Sequence, residues 1–168
     1  MQYQKLSGNL VSNDILKTGG VIVHGCNAQG VMGSGVAKII RDRWPIAYTE
    51  YREAYNTLGL ETGDVIFAQV QEDAGLNATL YVANAVTQEF YFRHPKAKGE
   101  TVFIDYDSVA KCFEDIADFM EDGEFTVPNL HMPLIGAGLA GGEWDRIEGI
   151  ILETLKDKDI NLYLWIYN

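Results

Sequence analysis

Two glycine-rich stretches, each set directly after an apolar run and directly before a helical pattern, constrain this chain more than any other feature. The first is His24-Gly25-Cys26-Asn27-Ala28-Gln29-Gly30-Val31-Met32-Gly33-Ser34-Gly35, following Val21-Ile22-Val23. The second is Gly136-Ala137-Gly138-Leu139-Ala140-Gly141-Gly142, following Leu130 to Ile135. Glycine lets the main chain take positive φ and lets a ligand approach close enough to be held by N–H groups, which at a helix N-terminus favour negative charge. One such turn suggests a phosphate site. Two suggest a diphosphate, or a phosphate with its sugar, clamped between them.

Short apolar or alternating runs bounded by turn residues predict strands at Tyr3 to Leu6, Val21 to His24, Val65 to Val70, Thr79 to Ala85, Leu130 to Ile135 and Leu162 to Tyr167. Helices are predicted at Gly35 to Arg43, Ile46 to Leu58, Tyr106 to Glu121 and Glu143 to Lys156. The third carries a clear stripe of Val109, Cys112, Phe113, Ile116, Phe119 and Met120. Asp73 to Asn77 reads as a hairpin connection. Strands mostly alternating with helices, with one hairpin included, predict an α/β fold: three α/β/α layers around a mixed, mostly parallel sheet of about six strands.

The 168 residues, 47% of them apolar, predict one domain over 1–168 with a full core. The formal net charge of −11 gives a field that repels polyanions, so no nucleic-acid polymer is expected as a partner. A phosphate compound would have to be bound locally, by main-chain N–H groups. Cys26 and Cys112 form no CxxC pair, and neither a signal-peptide pattern nor a membrane-spanning run is present; these features predict a cytoplasmic monomer without a membrane partner. No His, Cys and carboxylate cluster has metal-ligand spacing, so neither metal nor cofactor is expected.

Gly136, Gly138 and Gly141 match GxGxxG, which raises a nicotinamide enzyme. That fingerprint opens a βαβ unit with an acidic ribose ligand and further strands beyond it, and here only residues 161–168 follow the helix, so the match marks an anion-binding turn. In order and spacing, Asp14-Ile15, Val23-His24-Gly25-Cys26-Asn27, Met32-Gly33-Ser34-Gly35-Val36-Ala37 and Met132-Pro133-Leu134-Ile135-Gly136-Ala137-Gly138-Leu139-Ala140-Gly141-Gly142-Glu143-Trp144 resemble the macro domain. They are most similar to the branch containing ADP-ribose 1″-phosphate phosphatases and terminal ADP-ribose hydrolases acting on protein glutamate.

The resemblance implies ADP-ribose or ADP-ribose 1″-phosphate as ligand. Asp14 would accept from the adenine amino group, or it caps a turn. Ile15 would offer its N–H to the same ring, and Tyr167 would pack on the adenine face or simply in the core. Asn27 would hold the distal ribose and, with His24 and Asp107, make up the catalytic set. Gly33, Ser34, Gly35 and Val36, with Ile135, Gly136, Ala137, Gly138, Leu139, Ala140 and Gly141, would cradle the phosphates and that ribose. His24, where many macro domains have Asn, reads as the proton carrier or as a buried strand-end histidine. Asp105 and Asp107 read as acids for phosphate release or, first, as helix caps ahead of Ser108-Val109. His131 reads as structural, and Tyr91 to Thr101, with Arg93, His94, Lys96 and Lys98, as a substrate lid or a solvated loop.

Glutamate-directed hydrolases carry an aspartate at the position of Ala140, and their lysine reaches Lys96 or Lys98 only through a gapped alignment. The phosphatase reaction is therefore expected, with removal of ADP-ribose from protein side chains or acyl esters as one alternative. Binding without turnover is the other.

Overall fold

The computed structural model describes residues 1–71, 79–123, 125 and 128–167, apart from the side chains of Asn13 and Leu16. In chain order these form β1 (Gln2–Ser7), α1 (Asn13–Thr18), β2 (Gly20–Asn27), α2 (Gly35–Arg43), α3 (Pro45–Leu58), β3 (Val65–Gln71) and β4 (Leu80–Gln88). A single 3₁₀ turn (Pro95–Ala97), α4 (Tyr106–Asp122), β5 (Asn129–Met132), α5 (Trp144–Leu155) and β6 (Asn161–Ile166) follow. The six strands make one sheet in the order β1-β6-β5-β2-β4-β3. Every neighbouring pair is parallel except β3 with β4.

Period-two alternation along β2 decides which residue belongs to which layer. Val21 and Val23 face α4 and α5, where they meet Val109, Phe113, Ile116, Ile147 and Ile151. Ile22 faces the other way, into a second apolar cluster with Ile15, Ile40, Trp44 and Ala47 from α1, α2 and α3. Three layers follow, as the alternation of elements in the sequence implies. The apolar stripe of α4 is buried at Val109, Cys112, Phe113, Ile116 and Met120.

Proline sets two boundaries. Pro45 occupies the first turn of α3, where its missing N–H costs nothing, and it holds Trp44 at φ −133°, ψ 83°, which ends α2. Pro133 ends β5 at Met132, three residues short of the run predicted to Ile135, because it has no N–H for the ladder. The six-residue α1 has no counterpart among the predicted elements; a helix this short leaves too little periodicity to read. The predicted hairpin connection at residues 73–77 lies outside the described residues.

At Gly20, φ is +104°, and an added Cβ would run into the main-chain oxygen of Asn129. This close approach brings the starts of β2 and β5 together. Gly20→Ala should cost on the order of 3 kcal/mol or more, from backbone strain plus displacement of β5. Equilibrium urea unfolding of the two proteins measures this; equal midpoints would mean that the strands separate without cost.

Candidate functional site

β2 and β5 are parallel neighbours, so the loops that leave their C-terminal ends emerge side by side. The helices that follow then diverge: α2 buries Ile40 on one face of the sheet, and α5 buries Ile147 and Ile151 on the other. A crevice has to open between loops that part in this way, as at the switch points of open α/β sheets. It is a cleft of about 450 Å³.

Each loop is braced from behind. Asn27 Nδ2 donates to the Val31 carbonyl at 2.8 Å, and its Oδ1 accepts from the N–H groups of Gln29 and Val31 at 3.0 and 3.4 Å. The Tyr51 hydroxyl on α3 lies 2.5 Å from the Asn27 carbonyl and 3.0 Å from its Oδ1, and Arg52 donates to the Gly30 carbonyl at 3.1 Å. In the second loop, Gly141 N–H donates to Gly138 and Gly142 N–H to Gly136, while the Ala140 carbonyl accepts from Phe103 and Ile104. Among the described residues, the N–H groups of Ser34, Gly35, Val36, Gly138, Leu139 and Ala140 donate to no protein oxygen.

Ser34, Gly35 and Val36 sit at the start of α2, where the helix dipole favours an anion. Gly35 has φ +62° with nothing near the position of a Cβ. The left-handed turn there aims the main chain at the cleft instead of filling it. Asn27, Gly33, Ser34, Gly35 and Val36 line one wall, and Ile135, Gly136, Gly138, Leu139 and Ala140 the other. Ala137 and Gly141 stand outside the lining. None of the lining residues is an aspartate, glutamate, lysine, arginine or histidine.

Several expected residues lie elsewhere. His24 shares its face of β2 with Ile22 and Cys26 and is fully buried beneath α3. Its Nε2 lies 2.6 Å from Asn84 Oδ1. Asn84 Nδ2 donates to the Ala47 and Ile66 carbonyls, which fixes the amide with Oδ1 toward the imidazole, so His24 Nε2 carries the proton and donates. Burial brings its pKa down to about 4, against a smaller opposing effect of the Asn84 bond. His24 does not line the cleft itself, and of its two readings the buried strand-end histidine is the one this geometry supports.

Asp107 lies in the first turn of α4, where its N–H is capped by Asp105 Oδ1 at 3.1 Å, and it does not line the cleft. Of its two readings the cap is the one the geometry supports. Asp14 and Ile15 together line a separate cavity of about 230 Å³ with His131 and Trp165; the Ile15 side chain is buried, and its N–H donates to the Ser12 carbonyl at 3.3 Å. Tyr167 is 80% exposed just beyond β6.

Cys26 reaches the cleft wall, but burial pushes its thiol pKa well up, so it offers no thiolate. From the Tyr91 to Thr101 segment, Tyr91 and Phe92 line the cleft, while Lys96 and Lys98 do not. Gln88 also lines it, a residue absent from the sequence-based candidates because a polar residue ending an apolar strand carries no local signal.

The geometry is that of a known family. The macro domain family model matches residues 23–151, and the chain belongs to that family. An uncharacterized 17.5 kDa protein of Enterobacteria phage T4 is 30% identical over 91% of this chain and 89% of its own. A Scheffersomyces stipitis protein named ADP-ribose 1″-phosphate phosphatase is 24% identical over 86% of this chain and 87% of its own. A solved structure of a protein of unknown function from Bacteroides thetaiotaomicron, 30% identical, covers 99% of this chain and 98% of its own with a TM-score of 0.81.

His24 and His131 are both buried and both have pKa values lowered to about 4, chiefly by burial. The unfolded chain takes up these protons near the ordinary histidine value of about 6.5 while the native state does not, so stability present above that pH is lost as pH falls toward 4. The slope from the pair approaches about 2.7 kcal/mol per pH unit in that window. Denaturation midpoints from pH 7.5 to 4.5 should follow this fall, and His24→Gln should remove about half of it. An unchanged slope in that variant would mean that His24 is charged in the native protein.

Proposed function

We propose that this macro domain binds ADP-ribose in the cleft and hydrolyses the phosphomonoester of ADP-ribose 1″-phosphate. The observation that carries the reading is the convergence of unpaired main-chain N–H groups from two loops on a cleft without charged side chains. In a chain of net charge −11, such a cleft suits a dianionic diphosphate bound by local dipoles. Tyr167, exposed at the end of β6, is available to cover the adenine.

Phosphoryl transfer through a loose transition state asks for positioning and charge stabilisation more than for a strong base. Water attacks phosphorus in line while N–H groups of the loops hold the equatorial oxygens. The absence of a histidine or carboxylate from the wall is compatible with that chemistry. The yeast phosphatase relatives support it.

One observation favours a second reading. A Thermus aquaticus protein named DNA ADP-ribosyl glycohydrolase is 26% identical over 87% of this chain, which spans 36% of that relative. By that likeness the bond cleaved would join ADP-ribose to an acceptor. The name of that relative makes DNA its acceptor; the net charge of −11 in this chain gives no long-range attraction for a polyanion, so protein side chains or acyl esters are the acceptors this reading favours.

ADP-ribose should bind at one site and raise the melting temperature. A Cβ at Gly138 would meet no protein atom within 4 Å, so Gly138→Val should keep the fold while filling ligand space. Calorimetry should show its affinity reduced by about a hundredfold or more, roughly 2.7 kcal/mol. Full affinity in Gly138→Val would place the ligand elsewhere.

Inorganic phosphate should be released from ADP-ribose 1″-phosphate in the presence of a chelator. His24→Gln should spare kcat, in contrast to the loss of roughly a hundredfold or more that removing an acid–base group brings. The same proteins assayed on a glutamate-ADP-ribosylated substrate separate the readings. Turnover there with none on the phosphomonoester would replace the phosphatase by the de-ADP-ribosylating hydrolase.

A further inference from the structure

Hydrolysis needs an acceptor that fixes the lone pair of the attacking water, and few cleft-lining side chains have one to spare. Both ends of the Asn27 amide are engaged in its own loop. The Cys26 thiol is protonated by burial. Ser34 and Tyr91 present hydroxyls, each with a proton of its own to place.

Gln88 differs from all of these. Its Nε2 donates to the Phe90 carbonyl at 2.8 Å, and since a carbonyl cannot donate, this bond settles which end of the amide is which. Oε1 then has no donor among the described residues. The main chain of Gln88 is held on two sides: Ala28 N–H donates to its carbonyl at 2.9 Å, and it bridges Ile104. The amide is anchored at the end of β4, beside Asn27 in register, between the first loop and Tyr91-Phe92.

We infer that Gln88 is a positioning residue for the attacking water, accepting one of its hydrogens on Oε1; this rests on the phosphomonoester reading above. The water oxygen bonds to phosphorus as the bond from phosphorus to the ribose 1″ oxygen breaks. The electron pair of that bond leaves with the ribose oxygen, which takes up a proton from the water by way of a phosphate oxygen. The products are ADP-ribose and inorganic phosphate, with no net gain or loss of electrons. An amide carbonyl orients water but cannot keep a proton, so Gln88 itself contributes no pH dependence to the rate.

Gln88→Met fills the same volume without an acceptor, and Gln88→Glu keeps an acceptor that titrates. In Gln88→Met, kcat should fall about tenfold or more with KM within about threefold, the signature of an interaction made in the transition state. In Gln88→Glu, turnover should be retained in part, and kcat should rise with pH across the carboxylate range, a limb the wild type lacks. A purely structural role would not produce that limb. Wild-type kcat in Gln88→Met, a raised KM with kcat unchanged, or a Gln88→Glu profile superimposable on wild type would each overturn the inference. If Gln88→Met does not fold, as judged by its thermal melt, the Gln88→Glu profile decides. Absence of phosphate release from the wild type would overturn the phosphatase reading and this inference together, whereas active wild type with fully active Gln88→Met overturns this inference alone.

Discussion

The divergence of the chain at the ends of β2 and β5 governs the rest of this structure. Two adjacent parallel strands send their next helices to opposite faces of the sheet, so their loops cannot pack on one another and a crevice stays open between them. The apolar alternation of β2 enforces this, because Ile22 and Val23 commit to opposite cores and α2 must follow the former while α5 follows the latter. Where the site lies is therefore a consequence of packing. What it binds depends on the groups that the two loops leave unpaired.

Those groups belong mostly to the main chain. Several polar side chains behind the cleft hold the frame: Asn27 and Tyr51 tie the first loop to α3, and His24 and Asn84 tie β2 and β4 to α3 and β3. A buried polar pair of this kind costs little while satisfied and much when one partner is lost. It fixes loop geometry without adding charge. An acidic protein that binds a phosphate compound gains from this arrangement, since N–H dipoles attract the ligand at contact range where the net field would repel it.

The layers, the sheet of about six strands and the two loops were legible because they rest on local signals: apolar period, glycine clusters and the stripe of α4. Individual site residues depended on which way a side chain faces. His24 lies two residues from Ile22 and two from Cys26, and strict alternation already puts all three on one face of β2. Its nearness in sequence to the glycine loop concealed that. Asp14 belongs to a short helix whose existence no periodicity announced, and Ile15 was turned inward by it. Gln88 could not be found in the sequence at all, since its place at the cleft follows from the parallel pairing of β4 with β2.

The same logic explains how one frame serves several reactions at an ADP-ribose end. On the proposed reading the loops and their bracing would hold what such ligands share, a diphosphate with its ribose, without a charged side chain to dictate the chemistry. The reaction is then decided by the few side chains added to the wall at strand ends, where a substitution changes neither sheet register nor helix packing. Gln88 occupies such a position at the end of β4, anchored by Phe90 and Ala28 yet contributing nothing to either apolar core. On the phosphomonoester reading, a neutral acceptor there suits an ester whose phosphorus is attacked by oriented water as the ribose oxygen leaves, while a charged group at the same point would impose either a base or a nucleophile on an otherwise uncharged cleft.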